Sequence, residues 1–346
     1  MSPAKPVRVA ICDDSRTYAH ALRRFLEHDG DMEVVGVHST AEELLRALNR
    51  ERPDLVTMDL ELPGMDGVTA TERIVRGQRP VPVVVLSAHA RPGSERAAAA
   101  LAGGAVEAIL KGALPLTEAG GVAASAVRRR LRRLTRAQPR PMPAAAPRIP
   151  RSTPRRGGHR PVAAIGVAAS TGGPQALAVL LTELPADFPT PIVVVQHMSV
   201  GFTEGLATWL DRQTPLPVRL AVPGTIAGPG VWFAPDGGHT TLDKQLNLGR
   251  NTRTGGRHVP SADVLFESMA ATLGAAAAVV VLTGLGRDGA AGARAVLAAG
   301  GVAYAEDEAS SVVAGMPGAA AAVGARVFPL DELGGALRRL TPAARP

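Results

Sequence analysis

The chain has 346 residues, is 46% hydrophobic but only 3% aromatic, and carries a formal charge of +7. That length accommodates two domains of ordinary size, each able to bury a core, and an aliphatic, aromatic-poor composition suits parallel α/β sheets. A single cysteine, Cys12, excludes an internal disulfide, and the longest apolar run, Leu273 to Leu282, is too short to span a bilayer. The opening MSPAKPVRV leads directly into a strand pattern with no secretory signal, so a cytoplasmic location without membrane insertion is expected. The positive charge is local. Residues 128–160 hold twelve arginines and no acid, and removing them from the +7 total leaves −5 for the rest of the chain. No nucleic-acid partner is therefore expected of either domain.

In the first domain, residues 1–134, five apolar runs (VRVAIC, MEVVGV, DLVTM, VPVVVLS and AVEAIL) alternate with helical patterns. Ala41, Leu44, Leu45 and Leu48 show the 3, 4 spacing of a buried helical stripe. Strict alternation predicts a parallel sheet with helices on both faces. Polar residues close the strands: Asp13 and Asp14 the first, Asp59 the third, Ser87 the fourth and Lys111 the fifth. In a parallel sheet these ends share one edge, so the five should converge. Three carboxylates packed together repel unless a cation joins them, and a hard divalent ion such as Mg²⁺ suits oxygen ligands. A nearby ammonium and hydroxyl could hold the oxygens of a phosphoryl group on Asp59.

This pattern resembles the receiver domain of two-component response regulators, a flavodoxin-like five-stranded fold. The resemblance implies that Asp59, in MDLELPGMDG, is the phosphoacceptor. It further implies that Asp14, Asp59 and the Glu61 carbonyl hold Mg²⁺, with Asp13 helping through water, and that Ser87 and Lys111 bind the phosphoryl group. Two positions depart from the receiver pattern: Gly112 stands where proline usually follows the lysine, and Ala108 where an aromatic switch residue is usual.

Residues 135–160 are rich in Pro, Ala and Arg, show no apolar period, and read as a linker that lets two domains move.

The second domain, residues 161–346, opens with VAAIGVAASTGGPQ. A continuous apolar run breaks at Ser170-Thr171-Gly172-Gly173-Pro174 and resumes as the helical QALAVLLTEL. A Gly-rich strand-to-helix turn cradles phosphate, exposes a nucleophilic serine, or simply caps the helix. The phosphate motifs G-x-G-x-x-G and G-K-[ST] are absent; Ala168-Ala169-Ser170-Thr171-Gly172 follows the G-x-S-x-G elbow except that Ala168 replaces its first glycine. A plain turn with Ser170 capping the helix stays open until a partner histidine is found. PIVVVQHM places His197 at the end of another buried strand, and LGAAAAVVVLTGLGRDGAAG places Asp288 in the turn after a third. A serine needs a base to take its proton, and the base needs a carboxylate to fix its tautomer. Ser170, His197 and Asp288 can fill these roles. His239 and His258 are rival bases, Asp307 is a rival carboxylate, and Asp288 could instead cap the helix after RDGAAG. The order Ser, His, Asp differs from that of α/β-hydrolases.

The succession AIGVAASTGGPQAL, VVVQHMSVGFTEGLATWL, VWFAPDGGHTTL, HVPSADVLFESMA, VVLTGLGRDGAAGA and AEDEASSVVAGMPGAA resembles the catalytic domain of chemotaxis protein-glutamate methylesterases. A receiver, a linker and a doubly wound, mostly parallel α/β catalytic domain is that family's layout. The resemblance implies Ser170 as nucleophile, His197 as base and Asp288 as orienting carboxylate, with Thr171 beside the nucleophile and the Leu285 N–H in the oxyanion hole. It implies phosphorylation-controlled hydrolysis of glutamate γ-methyl esters on chemoreceptors, deamidation of glutamines at the same site, and a chemotaxis histidine kinase as phosphodonor. No cofactor is implied for the hydrolysis. A response regulator with a DNA-binding output is the main rival, and a catalytically dead adaptor the other.

Overall fold

The computed structural model describes residues 5–88, 94–137, 161–252 and 258–341. Most of the expected linker, residues 138–160, lies outside them. Internal contacts divide the chain into two units, Met1–Pro141 and Met142–Pro346.

The first unit has strands β1 (Val7–Cys12), β2 (Met32–His38), β3 (Leu55–Asp59), β4 (Val83–Ser87) and β5 (Glu107–Leu110). Between and after them run helices α1 (Arg16–Glu27), α2 (Ala41–Glu51), α3 (Gly67–Val75), α4 (Ser94–Ala102) and α5 (Val122–Leu134). The sheet order is β2-β1-β3-β4-β5, all parallel. The order reverses between β1 and β3, and open α/β sheets bind their ligands at the carboxyl end of such a switch point. Helix starts are written locally. The Ser15, Thr40 and Asp66 side chains accept from the N–H groups of Tyr18, Glu43 and Thr69 and cap α1, α2 and α3. The α2 stripe runs through Ala41, Leu44 and Ala47, with Leu45 and Leu48 half-buried at its margin.

Part of the arginine-rich segment belongs to this core. Arg128 on α5 is 1% exposed: its guanidinium donates to Asp29 Oδ2 and to the Phe25 and Ala119 carbonyls. Arg130 pairs with Glu107 and Arg132 with Asp31. Composition alone could not separate these arginines from the arm that follows.

The second unit has β6 (Ala164–Ala169), α6 (Gly173–Thr182), β7 (Ile192–Gln196), α7 (Thr203–Gln213), β8 (Val218–Leu220) and β9 (Val231–Phe233). A two-stranded antiparallel ribbon follows, β10 (His239–Leu242) with β11 (Leu248–Asn251). Then come α8 (Ala262–Leu273), β12 (Ala277–Val281), α9 (Ala290–Ala298), β13 (Val302–Glu306), α10 (Gly315–Ala321), β14 (Arg326–Phe328) and α11 (Leu330–Arg338). The seven-stranded sheet is ordered β14-β13-β12-β6-β7-β9-β8, and every pairing in it is parallel. Its switch point falls at β6, flanked by β12 and β7.

Both faces are covered. Ala168, Val193, Val195, Val279 and Val281 share a core with Phe266 and Met269 of α8 and Val296 of α9. Alternate residues such as Ile165, Val167 and Val194 point the other way and are equally buried. Gly166 matters here, because a Cβ on it would lie 2.7 Å from the Phe266 ring. Ala168 lies in the same row, paired with Val195 and Val281. Its methyl therefore belongs to the core between sheet and α8. It does not tighten the turn that begins at Ser170.

Candidate active site and acidic cluster

Ser170 follows β6, His197 follows β7, and the loop carrying Leu285 and Asp288 follows β12, so three adjacent strands bring them to one edge. The serine turn is held on three sides. Ser170 N–H donates to the Thr283 carbonyl at 3.0 Å, Gly173 N–H donates back to the Ser170 carbonyl at 2.8 Å, and His197 N–H donates to Ala169 at 2.9 Å. Gly172 adopts φ +77°, a left-handed conformation that favours glycine, and any Cβ there would strike Val312. Gly284 allows the β12 loop to approach, since a Cβ on it would lie 2.7 Å from Ser170 Cβ.

His197 Nε2 lies 2.8 Å from Asp288 Oδ2, with both side chains 8% exposed. With the carboxylate ionised, Nε2 carries the proton that lies between them, and in a neutral ring Nδ1 would be the acceptor. Asp288 accepts three further bonds: from Ser261 Oγ at 2.8 Å, Ala262 N–H at 2.7 Å and Asp263 N–H at 3.0 Å. The carboxylate thus sits on the N-terminus of α8, where free N–H groups favour negative charge. Asp288 is a capping residue as well as the partner of His197, and the helix it caps is α8 rather than the one that follows it in sequence. Burial alone would raise its pKa. The His197 hydrogen bond and charge, with the two α8 N–H groups, outweigh burial and hold the carboxyl well below its ordinary value.

A stability consequence follows. A folded pKa below the unfolded value, taken as 3.8, contributes stability that is complete above that value and is lost as pH falls below it. Thermal melts of wild type and Asp288→Asn should therefore differ most above about pH 5 and converge as pH drops below about 4. A difference that grows on acidification would contradict the depressed pKa.

The rivals separate cleanly. His239 is 1% exposed, and its Nδ1 accepts the Ser261 N–H at 3.0 Å, a structural role beneath α8. The His258 ring stacks on His197, with centroids 4.6 Å apart and an interplanar angle of 26°. Asp307 caps its own turn, accepting from Ser310 N–H and Oγ. Thr171 is buried, its hydroxyl has no hydrogen-bond partner, and no protein acceptor among the described residues takes the Leu285 N–H.

Other residues of this edge were not singled out in sequence. Thr283 joins the serine turn to the rest: its Oγ1 donates to the Thr171 carbonyl at 2.9 Å and accepts the Val313 N–H at 2.9 Å. Its own N–H donates to the buried Glu306 at 2.7 Å. Ser261 supports Asp288, and Gln196 contacts both Ser170 and His197. Threonine, serine and glutamine at strand and helix ends are too common for spacing to mark them. A polar residue closing an otherwise apolar strand, as in IVVVQ and VAYAE, was the available signal.

In the first unit, Asp13, Asp14 and Asp59 offer carboxylate oxygens within 4.8 Å of one another. Lys111 Nζ lies 2.7 Å from both Asp13 Oδ2 and Asp59 Oδ2 and 4.7 Å from the Tyr18 ring centroid. Burial disfavours the ammonium, but the two carboxylates outweigh it and push the Lys111 pKa up. Burial also raises Asp13, only partly offset by Lys111. One ammonium against three carboxylates leaves about two negative charges at the edge, a donor set and a charge that fit Mg²⁺. Ser87 is buried at the end of β4 beside this cluster's strands, and Glu61 N–H donates to Asp59 Oδ1 at 3.1 Å. The Cys12 thiol is pushed up to about 12 by burial and then by Asp13 and Asp59, so it stays protonated near neutrality. Ala108 is buried within β5, and a Cβ added at Gly112 would meet nothing within 4 Å. Nothing in the structure explains either departure.

A parallel α/β edge with a serine turn, joined to a receiver-type fold with its acidic cluster, defines a two-domain regulated-hydrolase architecture. Comparison with known proteins makes it specific. Residues 165–337 match the family model described as CheB methylesterase, and residues 9–115 match that of the response regulator receiver domain. The chain is 40% identical, over 92% of its length and 89% of the relative's, to protein-glutamate methylesterase/protein-glutamine glutaminase 3 of Myxococcus xanthus. It is 36% identical to protein-glutamate methylesterase/protein-glutamine glutaminase 2 of Pseudomonas aeruginosa, with 98% of each chain covered. The crystal structure of the Thermotoga maritima CheB methylesterase catalytic domain aligns at 34% identity and a TM-score of 0.49, covering 52% of this chain and 99% of that one. The chain belongs to the CheB methylesterase family. Among the described residues no helix is long and apolar enough to cross a membrane.

Proposed function

We propose that this protein is a cytoplasmic serine hydrolase, switched on by phosphorylation of Asp59, that removes methyl groups from glutamate γ-esters of chemoreceptors. The observation that carries the reading is the bonded His197–Asp288 pair on the strand edge next to the Ser170 turn. Ser170 Oγ attacks the ester carbonyl while His197 Nδ1 takes its proton, and Asp288 stabilises the imidazolium that forms. The oxyanion is held by backbone donors, Leu285 N–H among them. His197 then gives its proton to the departing methoxide, and water, deprotonated by the same histidine, clears the γ-glutamyl ester on Ser170. The same sequence acting on a side-chain amide releases ammonia, in keeping with the second activity in the names of the relatives.

In the receiver, the Asp59 carboxylate accepts the phosphoryl group from a histidine kinase or a small phosphodonor. Lys111 and Ser87 bind its oxygens. Asp13, Asp14, Asp59 and the Glu61 carbonyl would hold Mg²⁺, whose chemistry there is to neutralise charge on the transferring group. The proposal is tested by methanol release from radiomethylated chemoreceptor membranes, with and without a small phosphodonor. Release that rises with phosphodonor is expected. No release despite phosphorylation at Asp59 would overturn the substrate assignment.

A further inference from the structure

We infer that Gln196 is a positioning residue of the hydrolase, one whose amide fixes the nucleophile's turn to the base; the inference rests on the Ser170–His197–Asp288 reading above. Gln196 ends β7, is 3% exposed, and follows four apolar residues in IVVVQ. Its Nε2 donates to the Ser170 carbonyl at 2.8 Å and to the His197 carbonyl at 2.9 Å. One NH₂ group therefore spans the backbones of the two residues between which the proton must pass. The orientation is dictated by chemistry: both facing atoms are acceptors, and the reversed amide would set three oxygens against one another.

The other end of the amide shows that the fold alone does not require it. Gln196 Oε1 is buried with no hydrogen-bond partner, and it crowds the Gly173 Cα so closely that any Cβ there would collide with it. A buried, unpartnered carbonyl oxygen lowers stability, and methionine would fill similar space without that oxygen. What glutamine supplies and methionine does not is the pair of bonds to Ser170 and His197. The remaining ties are arranged differently. Ser170 N–H is bound to Thr283 on the β12 side, and His197 N–H reaches Ala169, one residue short of the nucleophile. Without the amide, the Ser170 carbonyl keeps only the Gly173 N–H, within its own turn. General-base catalysis is sensitive to sub-ångström changes in such registration.

The test uses the full-length protein with a small phosphodonor and methylated receptor membranes. Gln196→Met removes both donors without adding charge, and Gln196→Glu, at nearly constant shape, leaves at most the one O–H of a protonated carboxyl in place of the two N–H donors. Steady-state methanol release, thermal melting and the low-field imidazole N–H resonance, assigned by its loss in Asp288→Asn, are read together. A fall in kcat of about 10–100-fold is expected. KM should stay within about twofold, with cooperative melting and the low-field resonance retained. A kcat within about twofold of wild type in either folded variant overturns the inference. A change confined to KM overturns it too, as does loss of the resonance or failure of both variants to fold, which would make the role purely structural. Ser170→Ala is the control in the same assay: if it retains activity, the triad reading falls and this inference with it. If it is inactive and the Gln196 variants are not impaired, the inference alone falls.

Discussion

Ser170→Ala is expected to lower receptor-ester hydrolysis by about 10⁴–10⁶ in kcat, and His197→Gln by a similar amount. The loss should not be shared out between the two residues. They act in one proton transfer, so the double variant is expected to be no slower than either single one. The structure limits collateral damage. Ser170 holds its turn through backbone groups, by its N–H to Thr283 and its carbonyl from Gly173 and Gln196, and alanine keeps all three bonds. Ser170→Ala should therefore melt within about 1 kcal/mol of wild type, as for a substitution that leaves no buried polar group unpaired. Methanol release measured beside a thermal melt checks both parts. A kcat reduced by less than about 100-fold would mean that another group attacks the ester.

Asp59→Asn is the second large effect, and it removes control rather than chemistry. Basal hydrolysis is expected to persist at the wild-type level while stimulation by a small phosphodonor disappears. A shift of a few kcal/mol on phosphorylation is enough to move most of the population of a two-state switch, so losing the acceptor should remove the whole response. Stability should be little affected. Asp59 is one of three neighbouring carboxylates facing a single ammonium, and Lys111 keeps its 2.7 Å contact with Asp13 when Asp59 is neutralised. Hydrolysis assayed with and without phosphodonor, beside ³²P incorporation, is the measurement. Equal stimulation of the variant would place the phosphoacceptor elsewhere.

Much of this protein was determined by its sequence alone. Continuous apolar runs between helical patterns specify parallel strands buried on both faces, because an amphipathic edge or surface strand would have to alternate. A parallel sheet in turn sends every strand's carboxyl end to one side. Asp13, Asp59 and Lys111 were therefore legible as one cluster, and Ser170, His197 and Asp288 as neighbours, before any distance was known. Tertiary structure decided what local pattern leaves open. Sequence favoured His197 and Asp288 over the rivals His239, His258 and Asp307, and only the fold bonds His197 to Asp288, sets His239 at the start of β10 under α8 and stacks the His258 ring on His197. The double duty of Asp288 needed a helix distant in sequence to present its N-terminus. The same holds for Ala168, which sequence placed at the turn and packing places in the core. It holds again for Arg128, which sequence placed within the first domain but whose buried partner, Asp29, only the fold brings beside it. In each case the deciding energy is a hydrogen bond or a contact between segments far apart in the chain, and a one-dimensional pattern carries no record of which segments will meet.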